Sequence, residues 1–300
     1  MTVSWLQAPG APNPRAERLR ALLRSGETTP VAGAYDGMTA LLAKRAGFEA
    51  LYLSGAALSA SKALPDLGLL TMEDVARAAR DLVRASDLPI IVDCDTGFGE
   101  ALNIMRAVRE LEEAGAAGLQ IEDQDFPKKC GHLNDKRLVR AEDMARKIAA
   151  ARKASSSMVI CARTDAAAAS LDDAVARANL YAGAGADVIF VEALTEESVI
   201  RAVRERVTAP LLANMTEFGR TPQIPLAEWR AYGFELVIYP VSAFRVVARA
   251  AEAFYVGLRE AGTAEPLLDR MMTRRELYDA ISYLDYEALD ESIVRTVLPD

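Results

Sequence analysis

Short apolar runs alternate with amphipathic stretches along most of this chain. The runs are four or five residues long, as buried strands are, and the stretches between them carry apolar residues at helical spacing. Glycines at positions 47, 115, 185 and 233 follow helical stretches, where a left-handed residue commonly ends a helix. The strand-like runs are 30–34, 50–53, 89–92, 118–121, 158–162, 187–191, 210–213 and 236–239, and clear helical stretches are 72–85, 101–114, 141–153 and 171–184.

Eight strands alternating with helices predict an α/β fold with a parallel sheet. Eight strands also close a (β/α)8 barrel of the TIM type, at about the length of this chain. A doubly wound open sheet is the alternative, although no GxGxxG motif follows the first strand. We expect an N-terminal arm over 1–27, a barrel over 28–245 and a C-terminal helical extension over 246–300. The extension, with helical pattern over 243–261 and 273–284, either packs on a neighbouring subunit or caps its own barrel.

Composition narrows the possible partners. The 43 acids outnumber the 35 bases, and no long basic stretch occurs, so nucleic acid is not an expected partner. The cysteines Cys94, Cys130 and Cys161 are widely spaced and form no CxxC pair, which argues against a disulfide framework or a structural zinc site. No apolar run is long enough for a membrane span, and the N-terminus lacks the layout of a signal peptide, so we expect a cytoplasmic protein with no membrane partner.

Polar side chains follow nearly every predicted strand. In a barrel the carboxyl ends of the strands meet at one mouth, where active sites lie, so these residues are expected to share one site. They are Ser54 and Gly55 after the second strand, Asp93 and Asp95 after the third, Glu122 after the fourth, Arg163 and Asp165 after the fifth, Glu192 after the sixth, Asn214, Thr216 and Glu217 after the seventh, and Ser242 and Arg245 after the eighth.

The acids among them suggest a metal site. Asp93, Asp95 and Glu122 are hard oxygen donors on adjacent strands, and such a cluster repels itself unless a cation binds. Mg²⁺ fits, because it takes few carboxylates and keeps several waters. The alternative for Asp95 is capping of the next helix. Arg163, Arg245 and Arg274 offer bidentate sites for carboxylates, and Asn214 and Thr216 offer further hydrogen bonds, so the predicted ligand is a small polyanion on Mg²⁺.

The segment 122–132 combines acids, lysines, a cysteine and the only histidine of the chain. Cys130 lies beside Lys128 and Lys129, which should stabilise its thiolate and make it a usable acid or nucleophile. Gly131 permits close backbone approach. We therefore expect Cys130 to take part in chemistry, whereas Cys94 and Cys161 are expected to be buried apolar cysteines.

Within this segment, KKCGHLNDK resembles the KKCGH or KRCGH signature of the isocitrate lyase and phosphoenolpyruvate mutase superfamily. Other sequence motifs of the chain resemble those of the same superfamily and occur in the same order, from about residue 28 to about residue 290. They are most similar to the branch of 2-methylisocitrate lyases. They are YLSGA, LPDLG, VDCDTGFG, QIEDQ, ARTDA, ANMTEFG, YPVSAFR and TRRELYDAISYLDYE.

The resemblance implies a barrel whose last helix is swapped between subunits, in a homotetramer built from dimers. It implies Mg²⁺, with Mn²⁺ as a substitute, and Mg²⁺-dependent cleavage of the tricarboxylate 2-methylisocitrate to pyruvate and succinate, the lyase step of the methylcitrate cycle in propionate catabolism. By the same resemblance, the metal residues are Asp93 and Asp95, with Asp66 and Glu122 acting through water; the substrate residues are Ser54, Gly55, Ala56, Gly131, Arg163, Glu192, Asn214, Thr216, Arg245 and Arg274; and the catalytic residues are Cys130, Tyr52, Lys128 and His132.

The implied reaction is a retro-Claisen cleavage. Tyr52 or a metal-bound water or hydroxide removes the proton of the substrate's C2 hydroxyl, and Cys130 protonates the carbanion as general acid. Many methylisocitrate lyases have consecutive glycines where this chain has Gly55-Ala56-Ala57, so isocitrate, oxaloacetate or a phosphonate such as phosphonopyruvate is an alternative substrate. A barrel that only binds dicarboxylates is the alternative from another class of protein.

Overall fold

The computed structural model describes residues 5–6, 12–131 and 136–293 of the 300-residue chain. All eight strands run parallel to their neighbours, and β1 pairs with both β2 and β8, which closes the sheet. The prediction of a (β/α)8 barrel is therefore confirmed, and the open doubly wound sheet is excluded. The strands are β1 (Thr29–Ala34), β2 (Leu51–Leu53), β3 (Ile90–Asp93), β4 (Gly118–Glu122), β5 (Val159–Thr164), β6 (Val188–Val191), β7 (Leu211–Asn214) and β8 (Leu236–Tyr239).

Helices alternate with the strands along the chain in the order that the sequence pattern predicts. Their starts are encoded locally: at α4, for example, Thr71 caps the backbone of Asp74, and the Asp74 side chain accepts from the Thr71 backbone in return. The helices are α1 (Pro14–Leu23), α2 (Gly37–Arg45), α3 (Gly55–Ser61), α4 (Met72–Ser86), α5 (Ala101–Glu113), α6 (Ala141–Ala154), α7 (Leu171–Gly183), α8 (Glu197–Arg206), α9 (Leu226–Tyr232), α10 (Ser242–Ala261), α11 (Arg274–Ala280) and α12 (Tyr283–Ser292), with short 3₁₀ turns at Ala166–Ala168 and Glu265–Arg270.

The N-terminal segment contributes to the core, which the prediction of an arm over 1–27 did not anticipate. Asn13 caps α1 and donates from its side-chain amide to the carbonyl of Ala116 at 2.7 Å. Leu19 of α1 is fully buried in a cluster with Val31 and Ile91 from the strands. Helix α1 therefore packs against the apolar barrel interior, and burial of its leucine contributes about 1.5–3 kcal/mol to folding.

The chain divides into two units, Met1–Arg245 and Val246–Asp300. In the second unit, the prediction of one continuous helix over 273–284 is wrong, because α11 ends before Ser282 and α12 begins after it. Ser282 has a φ of +54°, a left-handed conformation that interrupts a right-handed helix. Among the described residues, no helix is both long and apolar enough to cross a membrane.

Candidate active site

A small cleft of about 60 Å³ lies at the carboxyl ends of the barrel strands, where the active sites of such barrels are found. It brings together predicted residues that follow or end five strands, together with residues of the loop after β4. Those that line it are Tyr52, Ser54, Ala56, Asp66, Asp93, Lys128, Cys130, Gly131, Arg163, Glu192, Asn214 and Thr216, and Lys129, Phe190, Ile238, Pro240 and Val241 complete the lining.

The remaining predicted residues lie in different places. Gly55, Asp95, Glu122 and Arg245 contact residues that line the cleft, as described below. Arg274 is the first residue of α11 in the second unit. His132 lies outside the described residues. The roles assigned to all these residues remain predictions.

One side of the cleft, which we call the acidic side, consists of Asp66, Asp93, Asp95 and Lys128. The Asp93 carboxylate accepts hydrogen bonds from the backbone N–H of Gly55 at 3.1 Å and of Asp95 at 3.2 Å. A Cβ on Gly55 would lie 3.2 Å from Asp93 Oδ2 and 3.3 Å from Asp95 Oδ1. Both carboxylates therefore face one small space, and the backbone amides hold Asp93 in place.

Lys128 supplies the positive charge on the acidic side. Its ammonium pairs with the carboxylate of Asp95 at 2.7 Å and with that of Asp66, and its side chain is only 4% exposed. Burial lowers the pKa of Lys128, but the surrounding acids raise it by more, so the lysine stays charged. Burial and the neighbouring Asp93 raise the pKa of Asp95 to about 6, although Lys128 opposes this.

The acidic side fits a Mg²⁺ ion bound by two carboxylates. Among the described residues, no group of three or more His, Cys, Asp or Glu side chains is arranged to hold a metal. Mg²⁺ does not need three, because it is usually bound through one or two carboxylates and keeps several waters. Asp93 and Asp95 supply such a pair. Glu122 Oε1 is also buried and has no hydrogen-bond partner among the described residues, as suits an atom that accepts from a metal-bound water.

The other side of the cleft, the arginine side, consists of Arg163, Asp165, Glu192 and Asn214. Arg163 donates two hydrogen bonds of 3.0 Å to the Asp165 carboxylate. Its remaining Nη1 lies 3.3 Å from both Glu122 and Glu192. Burial lowers the pKa of Arg163, but Asp165, Glu122 and Glu192 raise it by more. The guanidinium is thus a fixed cation at the end of β5.

The end of β7 extends this side. The Asn214 amide donates to Glu192 at 3.3 Å. Arg245 donates to Thr216 Oγ1 at 3.3 Å and to the Glu217 carboxylate at 2.8 Å. Arg245 is therefore held beside the cleft by Glu217, a residue that followed the seventh predicted strand but was not assigned a role.

Between the two sides lies the Cys130 loop, residues 128–131. Gly131 packs so closely on the arginine side that a Cβ there would lie 2.6 Å from Glu192 Cγ and closer still to the Arg163 guanidinium. No side chain fits at this position while the loop keeps its place, so the glycine is required by the close approach. Cys130 is half-buried and lines the cleft, whereas Cys94 and Cys161 are fully buried as expected.

Tyr52 is buried beneath the cleft and donates its phenolic hydrogen to the side-chain oxygen of Gln120. Gln120 in turn donates to Asp93 Oδ1 at 3.4 Å. Burial raises the pKa of Tyr52 well above its usual value, and Asp93 adds to this. Tyr52 therefore keeps its proton in this arrangement, which disfavours it as the general base.

Several functional contacts come from residues to which the sequence prediction gave no role: Gln120, Gln124, Lys136, Asp165 and Glu217. Each lies in one of the sequence motifs that resemble the superfamily. Residue spacing, however, does not show which polar residue of a loop points into the protein. Their contacts became visible only when strands and loop were placed together.

A closed eight-stranded barrel with a polar cleft at its strand ends defines a (β/α)8-barrel enzyme, and comparison with known proteins agrees with this class. Residues 19–258 match the family described as phosphoenolpyruvate phosphomutase. This span is most of the chain, so the chain belongs to that family, and the resemblance predicted from its motifs is confirmed.

Within this family, the chain is similar over nearly its full length to two curated proteins, both of them 2-methylisocitrate lyases. The chain is 53% identical over 286 residues to 2-methylisocitrate lyase of Bacillus subtilis (strain 168), an alignment that covers 95% of each chain. It is 43% identical over 297 residues to 2-methylisocitrate lyase of Escherichia coli (strain K12), covering 97% of this chain and 98% of the other.

Solved structures share the fold. A 2,3-dimethylmalate lyase, described as a member of the PEP mutase/isocitrate lyase superfamily, has a TM-score of 0.87 at 34% identity, over 92% of this chain and 94% of that one. A phosphonopyruvate hydrolase in complex with oxalate and Mg²⁺ has a TM-score of 0.85 at 30% identity, over 94% and 99%.

Proposed function

We propose that this protein is a Mg²⁺-dependent lyase that cleaves 2-methylisocitrate to pyruvate and succinate. The observation that carries the proposal is the meeting, in one cleft, of a paired acid site, a fixed arginine and a cysteine on a glycine-containing loop. Full-length similarity to curated 2-methylisocitrate lyases supports it.

The metal would bind at Asp93 and Asp95, with Asp66 and Glu122 contacting its waters. When bound, Mg²⁺ would polarise the substrate's hydroxyl and carboxylate oxygens and make the hydroxyl easier to deprotonate. The phosphonopyruvate hydrolase structure with oxalate and Mg²⁺ supports the choice of metal, and Mn²⁺ is the expected substitute.

The chain's own residues would divide the remaining work. Arg163 and Asn214 bind the carboxylate of the succinate half and stabilise negative charge as the C2–C3 bond breaks. Cys130 then donates its proton to the carbon that becomes the succinate methylene. Ser54 and Ala56 line the cleft where α3 begins and would bind the pyruvate half, while Gly55 holds Asp93 through its backbone amide. Lys128 keeps the acidic side neutralised and brings the Cys130 loop across the cleft.

Tyr52 is proposed as a neutral hydrogen-bonding group and not as the base, because its hydroxyl already donates to Gln120. The proton of the substrate's C2 hydroxyl would then pass to the other candidate base, a water or hydroxide held at the metal. Thr216, Glu192 and Arg245 complete the substrate wall. Roles for Arg274 and His132 are carried over from the sequence prediction and rest on the resemblance alone.

A coupled assay tests the reaction. Lactate dehydrogenase and NADH detect pyruvate from 2-methylisocitrate, with isocitrate, oxaloacetate and phosphonopyruvate run beside it, each with Mg²⁺ and with EDTA. We expect EDTA-sensitive pyruvate release from 2-methylisocitrate. Pyruvate from phosphonopyruvate, with no turnover of 2-methylisocitrate, would refute the lyase proposal.

Isocitrate is the second candidate substrate, because Ala56 places a methyl group in the cleft lining. The same assay settles this when glyoxylate is measured from isocitrate. A higher kcat/KM with isocitrate would assign the chain to that substrate instead.

We also propose that the second unit mediates assembly into a homotetramer of helix-swapped dimers. Support comes from apolar side chains exposed on α10 and α12, which a single chain leaves in water: Val246, Tyr255, Val256, Leu284, Tyr286 and Leu289. Light scattering after size exclusion should give the mass of four chains. A monomer at micromolar concentration would contradict this. A cytoplasmic location remains part of the proposal, to be checked by cell fractionation.

A further inference from the structure

The Cys130 loop is held on both flanks by side chains outside it. On the N-terminal flank, Gln124 forms two hydrogen bonds with the backbone of Lys129: its amide donates to the carbonyl at 2.8 Å, and its oxygen accepts from the N–H at 2.9 Å. On the C-terminal flank, the ammonium of Lys136 donates to the carbonyl of Gly131. Cys130 lies between these two attachment points.

Both flanking side chains meet the same carboxylate. Lys136 pairs with Asp165 Oδ1 at 2.5 Å, and Gln124 donates to Asp165 Oδ2 at 3.4 Å. Asp165 also accepts the two hydrogen bonds from Arg163. One buried carboxylate therefore links both flanks of the Cys130 loop to the arginine of the cleft.

Burial makes this link specific. The side chain of Asp165 is fully buried and that of Lys136 is 6% exposed. A lysine placed there must be paired, because an unpaired buried charge is costly. Asp165 is itself fixed from behind, since its backbone N–H donates to Asp123 at 3.0 Å. Asp123 in turn accepts from Tyr181 and Arg177 of α7, so the anchor belongs to the rigid barrel.

We propose that Lys136 and Gln124 are positioning residues that fix Cys130 over the cleft, with Asp165 as their common anchor. Neither side chain lines the cleft, so both act through the loop and not on the substrate. Asp165 also orients Arg163. The anchor therefore fixes the position of the Cys130 thiol relative to the Arg163 guanidinium. The catalytic consequence rests on the proposed function, but the positioning itself does not.

Alkylation of Cys130 tests the positioning without substrate. Iodoacetamide labelling is followed by peptide mass spectrometry in the wild type, in Lys136→Met, in Gln124→Met and in the control Lys153→Met, which alters an exposed lysine of α6. Loss of either flank should speed labelling of Cys130 about tenfold, as expected when a hydrogen bond that holds a closed state is removed. Removing a cation would by itself slow thiolate chemistry, so faster labelling of Lys136→Met reports opening of the loop.

Cys94 and Cys161 serve as internal controls, because both are fully buried and should stay unlabelled while the barrel is folded. If Lys136→Met exposes all three cysteines, Gln124→Met decides the question. The proposal is overturned if Cys130 labelling of a folded variant stays within twofold of the wild type, or if both variants expose all three cysteines.

Kinetics add a readout that a general structural role would not give. With 2-methylisocitrate, Lys136→Met should lower kcat about 10- to 100-fold, as expected for a displaced catalytic group, while Mn²⁺ affinity stays unchanged. A loss confined to KM contradicts the positioning role. A wild-type protein that makes no pyruvate refutes the proposed function but leaves the labelling comparison intact.

Discussion

The two sides of the cleft neutralise buried acids in different ways. On the arginine side the cation is Arg163, which is part of β5 and is bound at two points by Asp165. On the acidic side the cation is Lys128, which comes from a loop and reaches across to Asp66 and Asp95. A strand residue cannot leave its place, whereas a loop residue can.

This difference indicates what each side is built to do. The guanidinium of Arg163 is fixed by Asp165 without any ligand, so by our proposal the arginine side would be ready for an anion before substrate arrives. The acidic side holds an internal cation, Lys128, and by our proposal it would also hold Mg²⁺, which prefers carboxylate oxygens and brings its own waters. Because Lys128 and Cys130 share one loop, events on the acidic side are expected to affect the position of the thiol.

The largest expected effect comes from the residue between the two sides. Cys130→Ser should lower kcat about 100- to 10,000-fold, the usual contribution of a general acid, because a serine hydroxyl is a far weaker acid. Binding of Mn²⁺ and of the substrate, measured by calorimetry, should stay close to the wild type. Near-normal turnover would remove Cys130 from the mechanism.

A change that keeps the side-chain shape but removes one negative charge from the acidic side comes next. Loss of even an outer partner of a metal typically costs about 10–100-fold in affinity, so Asp95→Asn should weaken Mn²⁺ binding about 100-fold or more. Electron paramagnetic resonance of Mn²⁺ measures this directly. The control is Asp81→Asn, on the exposed face of α4. Unchanged metal binding in Asp95→Asn would place the metal elsewhere.

A change on the arginine side tests the docking of the loop. In Gly131→Ala the added Cβ meets Glu192 and Arg163, so the loop must shift, and a displacement of about 1 Å costs roughly 100-fold in rate. Metal binding should not change. Gly183→Ala is the matched control, because a Cβ at that position of α7 has open space around it. Equal activity of the two variants would show that the loop does not need this close approach.

The sequence predicted more of the barrel than of the connections between its loops. Alternation of apolar runs and helical stretches located all eight strands, because buried parallel strands leave short continuous apolar runs. It also located the strand ends that form the cleft. It missed the core role of Leu19, because the stretch 14–23 follows a segment rich in Pro, Gly and Ala and was included with that segment in the predicted arm, and it missed the break at Ser282.

The anchors of the Cys130 loop were missed for a different reason. Lys136 and Asp165 stand 29 positions apart, and their pairing depends on how the loop after β4 folds back onto the end of β5. No periodicity encodes such a contact. Polar residues in loops read alike in sequence, whether they face solvent or hold a buried carboxylate.

The smallest expected effect concerns Tyr52, at the floor of the cleft. It tests whether this tyrosine acts as the general base or only supports the acidic side. Tyr52 donates to Gln120, and Gln120 donates to Asp93, so the tyrosine supports one carboxylate of the proposed metal site through one intermediate residue. Tyr52→Phe removes one buried hydrogen bond, worth about 1 kcal/mol, and should lower kcat/KM less than about tenfold. Removal of a general base would instead lower kcat/KM roughly 100-fold or more.

Adding Gln120→Met to Tyr52→Phe should lower kcat/KM by less than the two single changes combined, because both remove the same hydrogen bond. If Tyr52→Phe alone abolished turnover while metal binding remained, Tyr52 would take the proton after all, and the acidic side would reach the substrate through the tyrosine as well as through the metal.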